Sequence, residues 1–312
     1  MKAFLPTLLL FLLSLTLTAQ QSGKLSGRAR ADLAAKEVEL AALARTMHTD
    51  TSAENRFAAC KELIQELVLT LKAPNSFSYD FSEIPGVVVK TSPDNAFRIF
   101  SWELYVTSEQ YRHYGAIQMN SKRLQLTPLV DRGDALRENP ENVTLKPDNW
   151  LGYVAYDIVP GGEWNGQPYY FVFGYDRYAR YQRQKVLDVF TYDSFGNPQF
   201  GAPVFRTYTT GTDLLLSDRR RIILNYGAEA NVVLRYEPDN ARIVYENLVM
   251  SPGGPGGPVN MPDGSYHALT KSEQDGMWHE AERVFTHKYE EAPRERGKTA
   301  DGKNIFGAGG GR

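Results

Sequence analysis

The chain has 312 residues, 42% of them hydrophobic and 23% charged, and a formal net charge of -2 at pH 7. That is the composition of a folded protein, and the near-balance of charge excludes the broad basic footprint that nucleic acid or anionic lipid demands. Cys60 is the only cysteine, which excludes an intrachain disulfide.

The first residues, MKAFLPTLLLFLLSLTLTAQ, read as a cleaved export signal. Lys2 is the basic start, Leu8 to Leu17 the apolar run, and Leu17-Thr18-Ala19 the cleavage site before Gln20. The run is short and polar residues follow it closely, so it does not read as a membrane span. The expected location is the periplasm or the extracellular space, with no transmembrane segment in the mature chain. Residues 1–19 are the signal, and roughly 290 residues remain, room for one large domain or two small ones.

Residues 26–73 read as a helical hairpin. Leu33, Leu40, Ala44 and Met47 form one stripe, and Phe57, Cys60, Ile64, Leu67, Val68 and Leu71 form a second, with Arg56, Glu62 and Glu66 off it. Thr51 and Glu54 have capping-box spacing at the second helix, and Pro74 follows its end. Cys60 reads as a buried structural thiol.

Residues 76–288 change period. Short runs rich in β-branched and aromatic residues recur from Val87 to Phe285, which makes the fold class mainly β, α+β overall: an antiparallel meander or propeller-like sheet array preceded by the two-helix element. Arg221 to Tyr226, Ala230 to Tyr236 and Ala241 to Val249 read as a three-stranded meander, and Asp131 to Asn149 as a long loop. Four Pro-Asp-Asn/Gly segments, at Pro93, Pro147, Pro238 and Pro262, have β-turn chemistry. Arg219-Arg220-Arg221 reads as a solvated strand start rather than a phosphate clamp. Ser251 to Pro258 is glycine- and proline-rich and reads as a loop. Residues 289–312 form a polar, glycine-rich tail expected to be disordered.

Chemical motifs are sparse. The histidines are His48, His113, His267, His279 and His287; His279-Glu280-Ala281-Glu282-Arg283 begins like a zinc-protease helix but carries arginine at the second ligand position. No cofactor or metal is expected, and no catalytic residue is assigned. The Tyr-Asp pairs at Tyr79, Tyr156, Tyr175 and Tyr192 supply aromatic faces and carboxylates, and Trp102, Trp150 and Trp164 add further aromatic platforms. Candidate binding residues are Trp102, Tyr156, Asp157, Tyr175 and Asp176. The competing view is that tyrosine covers a strand end while aspartate caps the turn, and adjacent strand residues face opposite ways.

WLGYVAYDIVP, YYFVFGYDR, QKVLDVFTYDSFGNPQFGAPVF and RRRIILNYGAEANVVLRYEPDNARIVYENLV resemble, in that order, segments of exported proteins of unknown function in bacteroidete-type bacteria. SPDNAFRIFSWEL, YRHYGAIQ and DGSYHALTKSEQDGMWHEAERVF fit the same pattern. The resemblance implies export and a largely β architecture and transfers no active-site residue. The expected function is non-catalytic binding of an unknown ligand or envelope protein. The alternative is a hydrolase of glycans or peptides using two carboxylates among Asp157, Asp176 and Glu103, which must converge in a cleft roughly 5–10 Å apart.

Overall fold

In the computed structural model, residues 21–138, 140–208, 215–253 and 256–286 are described. The expected signal (1–19) and tail (289–312) lie outside them. The hairpin comes first: α1 (Gly27–Thr49) and α2 (Ala53–Leu71). Ser26 caps α1 by accepting from Ala29 N, and Ser52 caps α2 by accepting from Asn55 N. The α2 cap is therefore Ser52, one residue beyond the expected Thr51.

Fifteen strands follow the hairpin among the described residues. In chain order these are β1 (Val88–Thr91), β2 (Phe97–Thr107), β3 (Gln110–Met119), β4 (Leu126–Val130), the short α3 (Gly133–Leu136), β5 (Val154–Trp164), β6 (Gln167–Asp176), β7 (Gln182–Tyr192) and β8 (Pro198–Phe200). They continue as β9 (Phe205–Tyr208), β10 (Leu215–Arg219), β11 (Ile222–Gly227), β12 (Leu234–Glu237), β13 (Arg242–Ser251), β14 (Val259–Lys271) and β15 (Trp278–Thr286). They form three open sheets: β1-β2-β3-β4; β11-β7-β6-β5, with β8 on β7; and β10-β9-β15-β14-β13-β12. Among the described residues the strands pair antiparallel except β15 with β9. The mainly β, antiparallel expectation holds, as open sheets rather than repeated blades.

The layers follow from which faces are apolar. Leu33, Leu40, Met47, Cys60, Leu63 and Leu67 of the helices pack with Phe100, Trp102 and Leu104 of β2. The other face of β2, with Phe97 and Ile99, meets Ala155, Tyr170, Val172 and Phe190 of the second sheet. That sheet's far side, with Phe171, Phe173, Leu187 and Val189, packs against Phe205, Ile243, Leu269 and Trp278 of the third. A central sheet covered on both faces cannot alternate apolar with polar, which is why Tyr169 to Asp176 reads as a nearly unbroken apolar run.

Several sequence expectations are corrected. Arg56 does not lie off the α2 stripe: it is buried, donating to the carbonyls of Tyr105, Asp50 and Thr51. The three-stranded meander is split, because β11 pairs with β7 while β12 pairs with β13. The Pro262 segment lies inside β14 instead of turning. There the register shifts between Glu246 and Leu248, so the extra residues of β14, with Gly264 at φ 82, bulge out. Pro262 pairs with Leu248 of β13, whereas pairing of β14 with β15 begins only at Ser265. The arginine run is not solvated: Arg221 is fully buried, Arg219 pairs with Glu141, and Arg220 donates to Thr144 Oγ1 and Gly201 O.

Gly86 joins the hairpin to the first sheet under a steric demand. Its φ is +71, and a Cβ there would lie 1.9 Å from His48 Nε2. Gly86→Ala is expected to cost about 1–3 kcal/mol from backbone strain alone, read as a lower denaturant midpoint with unchanged m-value.

Candidate functional site

The candidate residues separate. Trp102 is buried under the helices, stacked at 13° on Tyr114 with ring centroids 5.9 Å apart, and belongs to the core. Trp150 is also buried, edge-on to Tyr153. Asp157 is exposed and accepts from the backbone N–H of Ile158. Asp193 accepts from Phe195 N and Asn197 N, the turn role that a strand-end aspartate fills. Of the Tyr-Asp candidates, Tyr156 and Tyr175 come together.

They meet at a cavity of about 350 Å³ lined by Tyr156, Tyr175, Arg183, Lys185, Tyr226 and Asn231 with Ala228 and Ala230. The strands place them by register. Tyr175 of β6 opposes Lys185 of β7, and Arg183 opposes Tyr226 of β11. Tyr156 sits at a β-bulge of β5, between the pairs Ala155–Gly174 and Asp157–Phe173. A bulge re-aims a side chain, and here the Tyr156 hydroxyl donates to Leu234 O at 2.6 Å, tying β5 to β12. Ala228, Ala230 and Asn231 come from the β11–β12 connection, which passes from the second sheet to the third. The cavity is therefore built on the second sheet and closed along one side by the β11–β12 connection.

Its electrostatics are one-sided. Burial, then the neighbouring Tyr175, pushes the Tyr226 phenol up to about 12, and burial pushes that of Tyr156 up as well, so both remain neutral donors at neutral pH. Burial pulls the Lys185 ammonium below the usual lysine range, with Glu246 opposing. Its Nζ stands 5.3 Å from the centre of the Tyr156 ring. Arg183 donates to the carbonyls of Ala179, Arg180 and Gln182, which secures the β6–β7 turn and places its charge at the rim. The lining contains no carboxylate, histidine, serine, threonine or cysteine among the described residues.

Asp176 belongs to a different cluster on the opposite face of β6. There His113, fully buried on β3, lies between two aspartates: its Nδ1 is 3.5 Å from Asp131 Oδ2 and its Nε2 is 3.5 Å from Asp176 Oδ1. Arg137 pairs with the other oxygen of Asp176 and covers the Tyr178 ring at 4.2 Å. Asp131 is held by the backbone N–H groups of His113 and Gly133. Burial lowers the His113 imidazole, but the facing Asp131 and the charges of Asp176 and Glu103 outweigh it and raise the value. Burial outweighs His113 and Arg137 at Asp176, whose carboxyl is raised. Glu103, opposite His113 in the β2–β3 ladder, pairs with Arg177 at 3.7 Å. Sequence reasoning did not assemble this cluster. Its one local signal is an aspartate ending a run buried on both faces, which requires a buried partner.

Among the described residues no group of three or more His, Cys, Asp and Glu side chains has the arrangement to hold a metal ion, and no helix is long and apolar enough to cross a membrane. Cys60 is buried in the helix–sheet core, and burial raises its thiol. Comparison with protein-family models, curated proteins and solved structures returns no match.

Proposed function

We propose that this chain is an exported, non-catalytic protein of the periplasm or extracellular space that binds a small ligand in the cavity formed by the second sheet and the β11–β12 connection. The export half of this reading rests on the residues of the first segment and on the resemblance to exported bacteroidete-type proteins. The binding half rests on one observation: Tyr156 and Tyr175, with Tyr226 and Lys185, converge on a cavity of about 350 Å³. Small-molecule sites start at roughly 300 Å³ and combine apolar or aromatic walls with a few polar groups.

The same lining speaks against the paired-carboxylate hydrolase. General acid and base work on a glycoside needs two carboxyl groups beside the bond, and this cavity presents none among the described residues. Asp176 and Glu103 are committed instead to Arg137 and Arg177.

Thermal unfolding of the purified chain against glycans, peptides, lipids, divalent metals and EDTA tests the reading. A ligand at ~100 times its Kd adds about 2.7 kcal/mol, and a shift of several degrees that disappears in Tyr175→Ala is expected. A panel that shifts nothing, or a shift that Tyr175→Ala preserves, rejects this cavity as the binding site.

A further inference from the structure

Lys185 is unusual among the cations of this protein. It is a half-buried lysine whose ammonium makes no ion pair or hydrogen bond among the described residues; its contact is with the face of Tyr156. The carboxylate whose charge reaches it, Glu246, is itself engaged, accepting from Val233 N at 2.6 Å. Glu246 keeps its charge but makes no ion pair with Lys185, and a lysine taken partly out of water without a paired anion is costly.

The cavity around it contributes a second cation, Arg183, and neutral hydrogen-bond donors in Tyr226 and Asn231, with no acidic group among the described residues. Tyr175 stands beside Lys185 across the β6–β7 ladder, so a ring and an ammonium are presented next to each other. An anion satisfies the ammonium, and a flat or cyclic body of monosaccharide or benzoate size suits the volume and the tyrosine wall. Each half of the site thus selects for a different part of one molecule.

We propose that the cavity takes a small ring-bearing carboxylate, with the carboxylate on the Lys185 ammonium and the ring against Tyr175. The assignment rests on the ligand-binding reading of the same cavity and names its ligand class. Two sources share this chemistry, an acidic sugar and an aromatic acid, and they are separable by experiment.

The test is isothermal titration calorimetry of the purified chain with galacturonate, 4-hydroxybenzoate and, as the neutral control, galactose. At least one of the two acids is expected to bind at least tenfold more tightly than galactose, and which acid binds identifies the source. Lys185→Met keeps the aliphatic stem and removes the charge; it is expected to weaken the acid about tenfold or more, a difference of about 1.4 kcal/mol per decade. Lys185→Arg is expected to retain most of the affinity, and raised salt to reduce it. Galactose binding as tightly as galacturonate, or an acid indifferent to Lys185→Met, overturns the assignment. So does silence from both acids; if another class of compound then shifts the unfolding midpoint through Tyr175, the site stands and only the ligand class falls. Acid binding that survives both Lys185→Met and Tyr175→Ala rejects the cavity itself.

Discussion

Replacing Arg221 with methionine is expected to cost about 3–5 kcal/mol of stability, the range for removing one member of a buried ion pair. Arg221 is fully buried at the entry to β11. Its Nε donates to Asp188 Oδ1 at 3.0 Å, and its Nη1 donates to the carbonyls of Pro140 and Val143. Asp188, in the middle of β7, also accepts from Val189 N and from the Tyr153 hydroxyl at 3.3 Å. The pair therefore ties the second sheet to the segment from Pro140 to Val143. In the variant Asp188 is left buried with two neutral donors, and two carbonyls lose their partner. The midpoint of thermal unfolding should fall by about 6 °C or more for a chain of this size. Asp188→Leu combined with Arg221→Met is expected to cost less than the two single changes summed, because no charge is then stranded. Additive losses would show that the pair is energetically uncoupled.

His113→Gln is expected to destabilise by about 3 kcal/mol and to change the shape of the stability-against-pH curve. The imidazole is enclosed by Asp131, Asp176 and Glu103, with Arg137 behind Asp176, and its value is raised above that of a free histidine. The sign follows from linkage: a raised histidine contributes stability that is complete below its unfolded value, about 6.5, and is lost as pH rises through the folded one. Asp131 has the opposite sense. Burial pushes its carboxyl up, but His113 and the Gly133 N–H outweigh that and hold it low, so its contribution fades as pH falls. The difference in unfolding free energy between the parent and His113→Gln should therefore shrink as pH rises above about 6.5. His48, which burial lowers, titrates in both proteins and cancels in that difference. A difference independent of pH would mean that the His113 imidazole titrates alike in the folded and unfolded chains.

Both clusters show what could be read from the amino acids and what could not. The helical stripes, the strands β2, β3, β6 and β7, and the turn at Ser92, where Asn95 takes φ 57 and Ser92 Oγ accepts from Ala96 N, are local signals and were legible. The pairing of β11 with β7 was not, because partner choice among strands depends on the whole fold. Nor was β10, which follows residues outside the described part and adds an edge to the third sheet. For the cavity, sequence supplied Tyr156 and Tyr175 but not Lys185, whose register opposite Tyr175 appears only once β6 and β7 pair. Trp102 looked like a platform because its aromatic character is visible in sequence and its burial beneath α2 is not. The buried carboxylates left a trace in retrospect: Asp176 and Asp188 each interrupt a run that packs on both sides, and such an aspartate requires a buried cation or donors. Their partners, from Arg137 to Arg221, lie too far along the chain for spacing to reveal.

Tyr156, Tyr175 and Lys185 are proposed to form one ligand site. A crystal structure grown with whichever ring-bearing carboxylate gives calorimetric heat tests it most directly. Density is expected between Lys185 Nζ and the Tyr175 ring, with the carboxylate within hydrogen-bond distance of the ammonium. A ligand seated elsewhere, with this cavity holding solvent alone, would contradict it.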